Sequence, residues 1–380
     1  MNTILQLTPH DPLIARDGRP FGAGQGNRMR GLPWPLPSVV AGSFRTALVK
    51  AGNGDFSGVM PTTLLEKVHV AGVFPVHGGE LYLPAPNDYV WNQETNTRYR
   101  ARPYDFANCC DFPTDGLRPV LFSDDFKIKD FKPAEVPAWW PAGKYAEWLL
   151  GNEVCFDSSF LRNPLQETRD HVCLDAERGA AAEGQIFATT GLNMTYLPRF
   201  GVKLDDKDIS FNQRFAEVTL SARVTVPPTG FEQIDNFNIL HPLGGERRLV
   251  HWQNADSDLW NPRKAICDAL KTATQIRMVL ATPAIFKHGW QPDLANGPLK
   301  AFNQKLVGVS NGRWKAVSGW SLAPPRGPKA IRRMVPAGSV YFFTCEAGAA
   351  APLADMWLRS VSDDEQSQRD GFGLALWGTW

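Results

Sequence analysis

The segment from Val218 to Val226 alternates strictly between apolar and polar residues, and no other pattern in the chain constrains the fold as strongly. Its apolar members are separated by Thr219, Ser221, Arg223 and Thr225. A period of two places successive side chains on opposite faces of a β-sheet, whereas a helix needs a period near 3.6. The sequence therefore predicts a β-strand in this segment.

The first half of the chain predicts the order strand, helix, two strands, helix, strand. The first helix has Ser38 as its N-cap and Gly52 just beyond its end, which are typical cap residues. The other elements are expected as strands over 4–7, 68–76, 81–83 and 185–190 and a short helix over 143–150.

The second half predicts the same order again, beginning with the strand over 218–226. Asn261 and Pro262 form an N-cap and N1 pair for its first helix. The remaining elements are expected as strands over 276–281, 340–345 and 374–377 and a helix over 353–361.

Two successive units of this order predict an α+β protein made of two tandem ferredoxin-like domains, the architecture of the RNA-recognition module. We expect these RRM-like domains at residues 1–205 and 206–380. The chain has 33 glycines and 30 prolines in 380 residues, more than average usage, so long Gly/Pro-rich loops and insertions are expected within both domains.

The charges are balanced overall but unevenly distributed. With 40 basic and 39 acidic residues, the balance excludes a strongly basic protein that binds nucleic acid through its overall positive charge. Yet residues 294–345 contain eight basic and no acidic residues, residues 18–54 contain five basic and no acidic residues, and residues 103–183 carry a net charge of −7. Such separation suits a protein that binds a polyanion on one face and a protein through the acidic region. The alternative is that the basic residues are solvated on separate faces.

Residues 17–26 are rich in glycine but lack the Gly-Lys-Ser/Thr ending of a phosphate-binding P-loop. Glycines allow close backbone approach to phosphate, and arginines make bidentate contacts with it. This segment and its surroundings predict a phosphate contact, with a plain flexible loop as the alternative. The candidate residues are Arg19, Phe21, Gly22, Gly24, Gly26, Arg28, Arg30, Ser38 and Arg45.

A second basic cluster, over 323–333, contains Arg326, Lys329, Arg332 and Arg333. His288 and the tryptophans at 290, 314 and 320 are candidates to stack on bases of single-stranded RNA. Because tryptophans near strands are usually core residues, we expect two of the three to be buried.

The sequence offers little catalytic chemistry. Its seven histidines are dispersed, and we expect no metal and no cofactor. A zinc site at Cys155, His171 and Cys173 with one of the vicinal pair Cys109 and Cys110 is an alternative without standard ligand spacing. The six cysteines show no Cys-x-x-Cys pair, so reduced thiols are expected. The absence of a signal peptide or of a long apolar run predicts a cytoplasmic protein with no membrane contact.

Several segments in order along the chain resemble the third Cmr subunit of type III-B CRISPR effector complexes, a family of RAMP proteins. Residues 11–22 and 36–48 carry the N-terminal part of the resemblance. Further matches lie at 183–187, 244–248, 281–286, 335–341 and 371–373.

The resemblance implies a non-catalytic subunit at the foot of the complex. Such a subunit binds the repeat-derived 5′ tag of the CRISPR RNA and contacts the large polymerase-like cyclase subunit and neighbouring RAMP backbone subunits. Gly371 and Gly373 correspond to the glycine-rich RAMP loop and are therefore RNA-binding candidates. A hairpin that wedges between guide segments is also expected, without an assigned position. The alternative is a metal-independent endoribonuclease that cuts the CRISPR precursor with a histidine general base.

Overall fold

The computed structural model describes residues 2–17, 27–52, 65–104, 116–122, 132–255, 258–321 and 327–380. The chain forms two compact units, each built from three separate stretches. This division differs from the predicted boundary between residues 205 and 206. Unit 1 comprises Met1–His77, Arg162–Asp256 and Ala316–Arg332, and unit 2 comprises Gly78–Leu161, Ser257–Lys315 and Arg333–Trp380.

The described residues include 24 strands. In the first half of the chain these are β1 (Asn2–Pro9), β2 (Asn27–Arg28), β3 (His69–His77), β4 (Glu80–Pro84), β5 (Tyr89–Asn92), β6 (Thr97–Arg100), β7 (Arg102–Pro103), β8 (Val120–Leu121), β9 (Trp139–Pro141), β10 (Gln166–Leu174), β11 (Ala181–Leu192) and β12 (Tyr196–Pro198). The others are β13 (Phe215–Glu217), β14 (Thr219–Thr225), β15 (Asn238–Pro242), β16 (Leu249–Ala255), β17 (Gln275–Leu280), β18 (Lys305–Ser310), β19 (Lys315–Val317), β20 (Trp320–Ser321), β21 (Gly327–Pro328), β22 (Arg332–Met334), β23 (Val340–Thr344) and β24 (Ala375–Thr379).

The helices are short apart from the first. The α-helices are α1 (Pro37–Ala51), α2 (Ala142–Leu149), α3 (Phe211–Arg214), α4 (Lys264–Leu270) and α5 (Glu365–Arg369), and 3₁₀ turns lie at Glu232–Ile234, Asp258–Trp260, Lys300–Phe302 and Ala351–Ala354.

The predicted N-caps of the first helix and of the helix after Asn261 are both wrong. Helix α1 begins at Pro37 with Leu36 as N-cap, so Ser38 lies inside the first turn. Proline suits the first helical position because its φ is fixed and its missing N–H has no helical partner there. Helix α4 begins at Lys264 with Arg263 as N-cap, two residues beyond the predicted Pro262. Gly52 follows α1 as predicted.

Unit 1 contains an antiparallel sheet with the order β15-β16-β1-β14-β3. Leu7 of β1 pairs with Leu220 of β14 on one side and with Trp252 of β16 on the other. These three side chains are buried in one core with Phe44 of α1. The sheet therefore buries the face that carries the alternating apolar residues, and α1 covers it.

Strand β14 confirms the predicted alternation but not its predicted place. The pattern was expected to open the second domain, whereas β14 lies in the middle of the unit 1 sheet, between β1 and β3. Periodicity reports which face of a strand is buried and carries no information about its neighbours. The tandem division at residue 205 consequently fails to describe the packing.

Unit 2 contains a second antiparallel sheet, in the order β18-β23-β17-β24. Met278 of β17 pairs with Tyr341 and Trp377 on either side. A separate aromatic cluster surrounds Trp140, whose ring centroid lies 5.2 Å from that of Tyr89 and 6.1 Å from that of Trp148. The separate helices and antiparallel sheets confirm the α+β class.

The helix expected over 353–361 is wrong. The chain makes a 3₁₀ turn at Ala351–Ala354, and α5 lies further on at Glu365–Arg369. Leu358 has φ of +52°, a left-handed conformation that ends a right-handed helix. Its N–H donates to the carbonyl of Ala375 instead of to a helical partner.

Strands β10 and β11 form a long antiparallel hairpin in unit 1. Strand β2 adds to it in parallel at Phe187 and Ala188. Among the residues described, no helix is both long and apolar enough to cross a membrane.

Candidate nucleic-acid interface

The chain pairs with itself on either side of the glycine-rich segment. The amide of Leu32 donates to the carbonyl of Ala15 at 2.9 Å, and Arg16 forms a β-bridge with Gly31. The predicted contacts Arg19, Phe21, Gly22, Gly24 and Gly26 lie outside the described residues.

Arg28 and Arg30 are exposed beside the hairpin β10–β11. The backbone between them is fixed, because Met29 donates its amide hydrogen to the carbonyl of Ala188 at 2.9 Å. Met29 itself is buried and anchors the strand. Two exposed arginines thus flank a hydrogen-bonded residue at the edge of the hairpin, an arrangement that suits contacts with phosphate.

Arg45 and Ser38, both on α1, are partly exposed. The Nη2 atom of Arg45 donates to the carbonyl of Val68 at 2.8 Å. This bond connects the helix to Val68, the residue immediately before β3. Arg45 therefore has a structural contact in addition to its predicted role.

The second basic cluster lies on the segment that contains β19 to β22. Lys329 is exposed, and its backbone is fixed by bonds from its amide to Gly319 at 2.7 Å and from the hydroxyl of Ser318 at 2.8 Å. Arg332 is half-buried and Arg333 is exposed. Arg326 lies outside the described residues.

Arg333 stacks on an exposed tryptophan. Its guanidinium carbon lies 4.8 Å from the ring centroid of Trp314, which is 53% exposed. Trp290 is 40% exposed, so the expectation that two of the three tryptophans are buried is wrong. The side chain of Trp320 is not among the side chains that the structure describes. A cation held against an exposed indole is a suitable surface for a nucleobase and its phosphate.

His288 and Trp290 lie on a tightly held loop in unit 2, residues 286–293, which we call the presented loop. β-Bridges join Phe286 to Gly289 and His288 to Gln291. The hydroxyl of Tyr341 donates to the carbonyl of Trp290 at 2.6 Å. The loop therefore has a fixed backbone, while His288 and Trp290 both remain exposed.

One carboxylate holds the two ends of the presented loop. Asp363 accepts the amide hydrogen of Lys287 at 2.7 Å and that of Asp293 at 3.1 Å. Burial raises the pKa of Asp363, although these two hydrogen bonds oppose the shift. No motif in the sequence indicates this contact, because Asp363 is distant from the loop along the chain.

Gly371 and Gly373 are buried, in contrast to the predicted RNA contact. The carbonyl of Gly371 accepts from the hydroxyl of Thr282 at 2.8 Å, and the amide of Gly373 donates to Pro283 at 2.7 Å. Gly373 has φ of +72°, and a Cβ atom there would lie 2.5 Å from Oγ of Ser362. In the isolated chain these glycines allow close packing inside unit 2 instead of presenting backbone to a ligand.

The predicted residues that the structure describes are therefore divided between the units. Unit 1 carries Arg28, Arg30, Ser38, Arg45, Lys329 and Arg332, and unit 2 carries His288, Trp290, Arg333, Gly371 and Gly373.

Several histidines already have hydrogen-bond partners. His77 contacts the carbonyl of Glu217 through Nδ1 at 2.8 Å and Nη2 of Arg199 through Nε2 at 3.2 Å. His171 bonds to the hydroxyl of Thr189 at 2.8 Å. Burial lowers the pKa of His241. Within the described part of the chain, no group of three or more His, Cys, Asp or Glu residues is arranged to hold a metal ion.

Comparison with known proteins gives one family. The model of the family described as CRISPR-associated protein (Cas_Cmr3) matches residues 5–380. No curated protein matches the sequence.

Three solved structures contain chains that align with most of this one. A chain of the type III-B Cmr-beta complex bound to cognate target RNA is 12% identical, with 89% of this chain and 86% of that chain covered and a TM-score of 0.46. A chain of the Csm3-Csm4 subcomplex of the type III-A interference complex is 10% identical, with 91% and 97% covered and a TM-score of 0.37. A chain of the Csm1-Csm4 cassette in complex with pppApA is 9% identical, with 92% and 96% covered and a TM-score of 0.32.

Proposed function

Because the chain belongs to the Cas_Cmr3 family of CRISPR-associated proteins, we propose that it is a non-catalytic, RNA-binding subunit of a type III-B CRISPR effector complex. In this role it binds the repeat-derived 5′ tag of the CRISPR RNA at the foot of the complex and supports the large catalytic subunit. The observation that carries the proposal is the family match, which extends from residue 5 to residue 380. The strand orders support two ferredoxin-like units, since β16-β1-β14-β3 and β24-β17-β23-β18 both run fourth, first, third, second along the chain.

Phosphate binding in this proposal rests on the exposed cations. Arg28 and Arg30 stand on the edge fixed by Met29, and Lys329 stands on a backbone fixed at Gly319. Fixed backbones reduce the entropy that is lost when long side chains become ordered on a ligand. Release of counterions from RNA then provides most of the affinity and makes it depend on salt.

Base stacking rests on the exposed aromatic side chains. Trp290 and His288 share the presented loop, and Trp314 is paired with Arg333. Aromatic faces bind unpaired bases with little sequence preference, contributing about 1–3 kcal/mol per base. Single-stranded RNA presents such bases, and a 5′ tag that is not paired to a target fits this surface.

The hairpin β10–β11 is our candidate for the wedge that the family resemblance leads us to expect. His171 stacks on Phe187 with ring centroids 5.1 Å apart and an interplanar angle of 18°. Phe187 lies in register with β2, next to Arg28. An aromatic pair next to a cation is suited to separate two neighbouring bases and to hold the adjoining phosphate.

The proposal is tested by measuring RNA binding as a function of salt. Fluorescence anisotropy with a labelled single-stranded RNA carrying the tag is recorded for the wild type and for the double variant Arg28→Glu/Arg30→Glu. Each lost phosphate contact lowers the slope of log affinity against log salt by about 0.7, so the double variant loses about 1.4. Arg178→Glu, at an exposed arginine in the turn of the hairpin, is the matched control. Equal affinity and slope for the double variant and the control would contradict the assignment.

The rival activity is cleavage of precursor RNA by a histidine general base. Incubation of the purified protein with repeat RNA in the presence of a chelator separates the two functions. We expect intact RNA. If the wild type cleaves the RNA and His288→Ala does not, the protein is an endoribonuclease and the proposal of a non-catalytic subunit is wrong.

A further inference from the structure

The distal part of the hairpin β10–β11, residues 172–186, extends beyond the three-stranded region, and we call it the distal ribbon. Strand β2 pairs with β11 only at Phe187 and Ala188. Beyond that point the described register joins β10 and β11 alone, ending with Leu174 opposite Ala181. A two-stranded hairpin is marginally stable by itself in water.

Aliphatic side chains are exposed along the distal ribbon. Val172 and Ile186 lie directly opposite each other in the register and are 52% and 46% exposed. Leu174, beyond a bulge, is 70% exposed. Cross-strand neighbours lie on the same face of a ribbon, so Val172 and Ile186 form one apolar patch. Apolar patches on projecting elements mark surfaces that another macromolecule covers.

The charges of the distal ribbon are mainly negative. Asp175, Glu177 and Glu183 are opposed by Arg178 alone. Asp175 also shapes the turn, because its carboxylate accepts the amide hydrogens of Glu177 at 2.9 Å and Arg178 at 3.1 Å. Glu177 and Glu183 are exposed. Negative charges repel the phosphates of RNA, while they attract a basic protein surface.

We propose that the distal ribbon docks onto another protein subunit, in an apolar groove bordered by lysine and arginine side chains. Val172, Ile186 and Leu174 fill the groove, and Glu177 and Glu183 face its basic rim. The inference rests on the proposed function in that it supposes partner subunits. The two parts of one hairpin then have separate tasks: the region around Phe187 contacts RNA and the distal ribbon contacts protein.

Crosslinking within the assembled effector complex tests the docking directly. A photo-reactive benzoylphenylalanine replaces Leu174 in one preparation and Leu240 in another, where Leu240 is a leucine with 53% exposure on edge strand β15. After irradiation, mass spectrometry identifies what is attached. A crosslink from position 174 to a second protein chain supports the proposal. A crosslink to RNA, or none at all, overturns it.

Variants separate docking from RNA binding. Val172→Ser/Ile186→Ser and Glu177→Lys/Glu183→Lys change exposed side chains, and Leu240→Ser is the matched control; circular dichroism verifies that each variant is folded. We expect association with the co-expressed subunits to weaken by about tenfold for both double variants. Affinity for the isolated tag RNA should stay within about twofold for Val172→Ser/Ile186→Ser and should not fall for Glu177→Lys/Glu183→Lys, because the added lysines attract phosphate. Unchanged association of both double variants would refute docking and leave the proposed function intact. Retained tag binding by the Arg28→Glu/Arg30→Glu variant would contradict the proposed RNA contact and would leave the result on docking unchanged.

Discussion

Replacing Arg277 by methionine removes one partner of an ion pair that is completely buried in unit 2. Nη1 of Arg277 lies 3.0 Å from Oδ2 of Asp88, and both side chains have no exposed surface. Trp148 joins the pair by donating its indole hydrogen to Oδ1 of Asp88 at 2.9 Å. Burial lowers the pKa of Arg277, while the carboxylate of Asp88 opposes this shift.

The expected loss of stability follows from the charge that remains. In Arg277→Met the carboxylate of Asp88 keeps its bond from Trp148 but loses its counter-ion, which costs about 3–5 kcal/mol at a buried site. For a folded unit of ~150–250 residues, each kcal/mol lowers Tm by about 2–4 °C. The variant should therefore unfold about 6–20 °C below the wild type.

Removing the second charge should recover part of the loss. Nε and Nη2 of Arg277 are buried without a hydrogen-bond partner among the described residues, so the native pair is incompletely satisfied. Asparagine at position 88 retains an acceptor for Trp148 without the negative charge. We expect Asp88→Asn/Arg277→Met to be about 2 kcal/mol more stable than Arg277→Met alone.

The measurement is urea and thermal unfolding, followed by near-ultraviolet circular dichroism of the aromatic cluster around Trp140, to which Trp148 belongs. The control is Arg263→Met, which removes the 3.1 Å ion pair with Glu80 at partly exposed positions of the same unit. This change should cost at most about 1 kcal/mol. The reasoning is refuted if the two single variants are equally stable, or if the double variant is no more stable than Arg277→Met.

Three further predictions concern packing, pH and the presented loop. Gly373→Ala should destabilise the protein by about 1–3 kcal/mol in urea unfolding, clearly more than Gly289→Ala, because both have positive φ but open space surrounds only Gly289. Burial lowers the pKa of His241 below 6.5, so its contribution to stability is present above pH 6.5 and is lost as the pH falls through the folded-state value. His241→Gln should therefore show a shallower loss of stability below pH 6.5, and parallel pH profiles would contradict this. Tyr341→Phe removes the hydrogen bond to Trp290 and should cost about 0.5–1.5 kcal/mol, with weaker binding of tag RNA in anisotropy; unaltered binding would argue against a role for the loop.

Local patterns in the sequence predicted eight strands, and all eight are present among the 24 strands of the described residues. Alternation over 218–226 became β14, and the expected strands over 276–281 and 340–345 became β17 and β23. A side chain's apolar or polar character depends on its own chemistry, so a short segment contains enough information to indicate a strand. The helix expected over 353–361 failed because Leu358 adopts a left-handed conformation and bonds to Ala375, a contact with residues outside the segment.

The candidate interface was predictable in part. Exposed Arg28, Arg30, Lys329 and Arg333 agree with the expectation that isolated basic residues face solvent. Burial of glycine was not predictable, because a residue without a side chain carries no hydropathy signal. Gly371 and Gly373 therefore matched a loop motif while packing against Thr282 and Ser362.

The sequence by itself determined the central strands β1, β3 and β14 of one sheet and β17, β23 and β24 of the other, but not β15, β16 or β18. It also determined the segregation of basic and acidic segments and, through the order of its motifs, the resemblance to the Cmr family. The tertiary structure decided that β14 joins β1 and β3, that Asp88 and Arg277 meet in a buried ion pair, and that Asp363 fixes the presented loop. Each of these depends on residues that are distant in the chain and meet only after folding. Periodicity and charge act within a segment, whereas pairing and burial depend on what the rest of the chain places beside it.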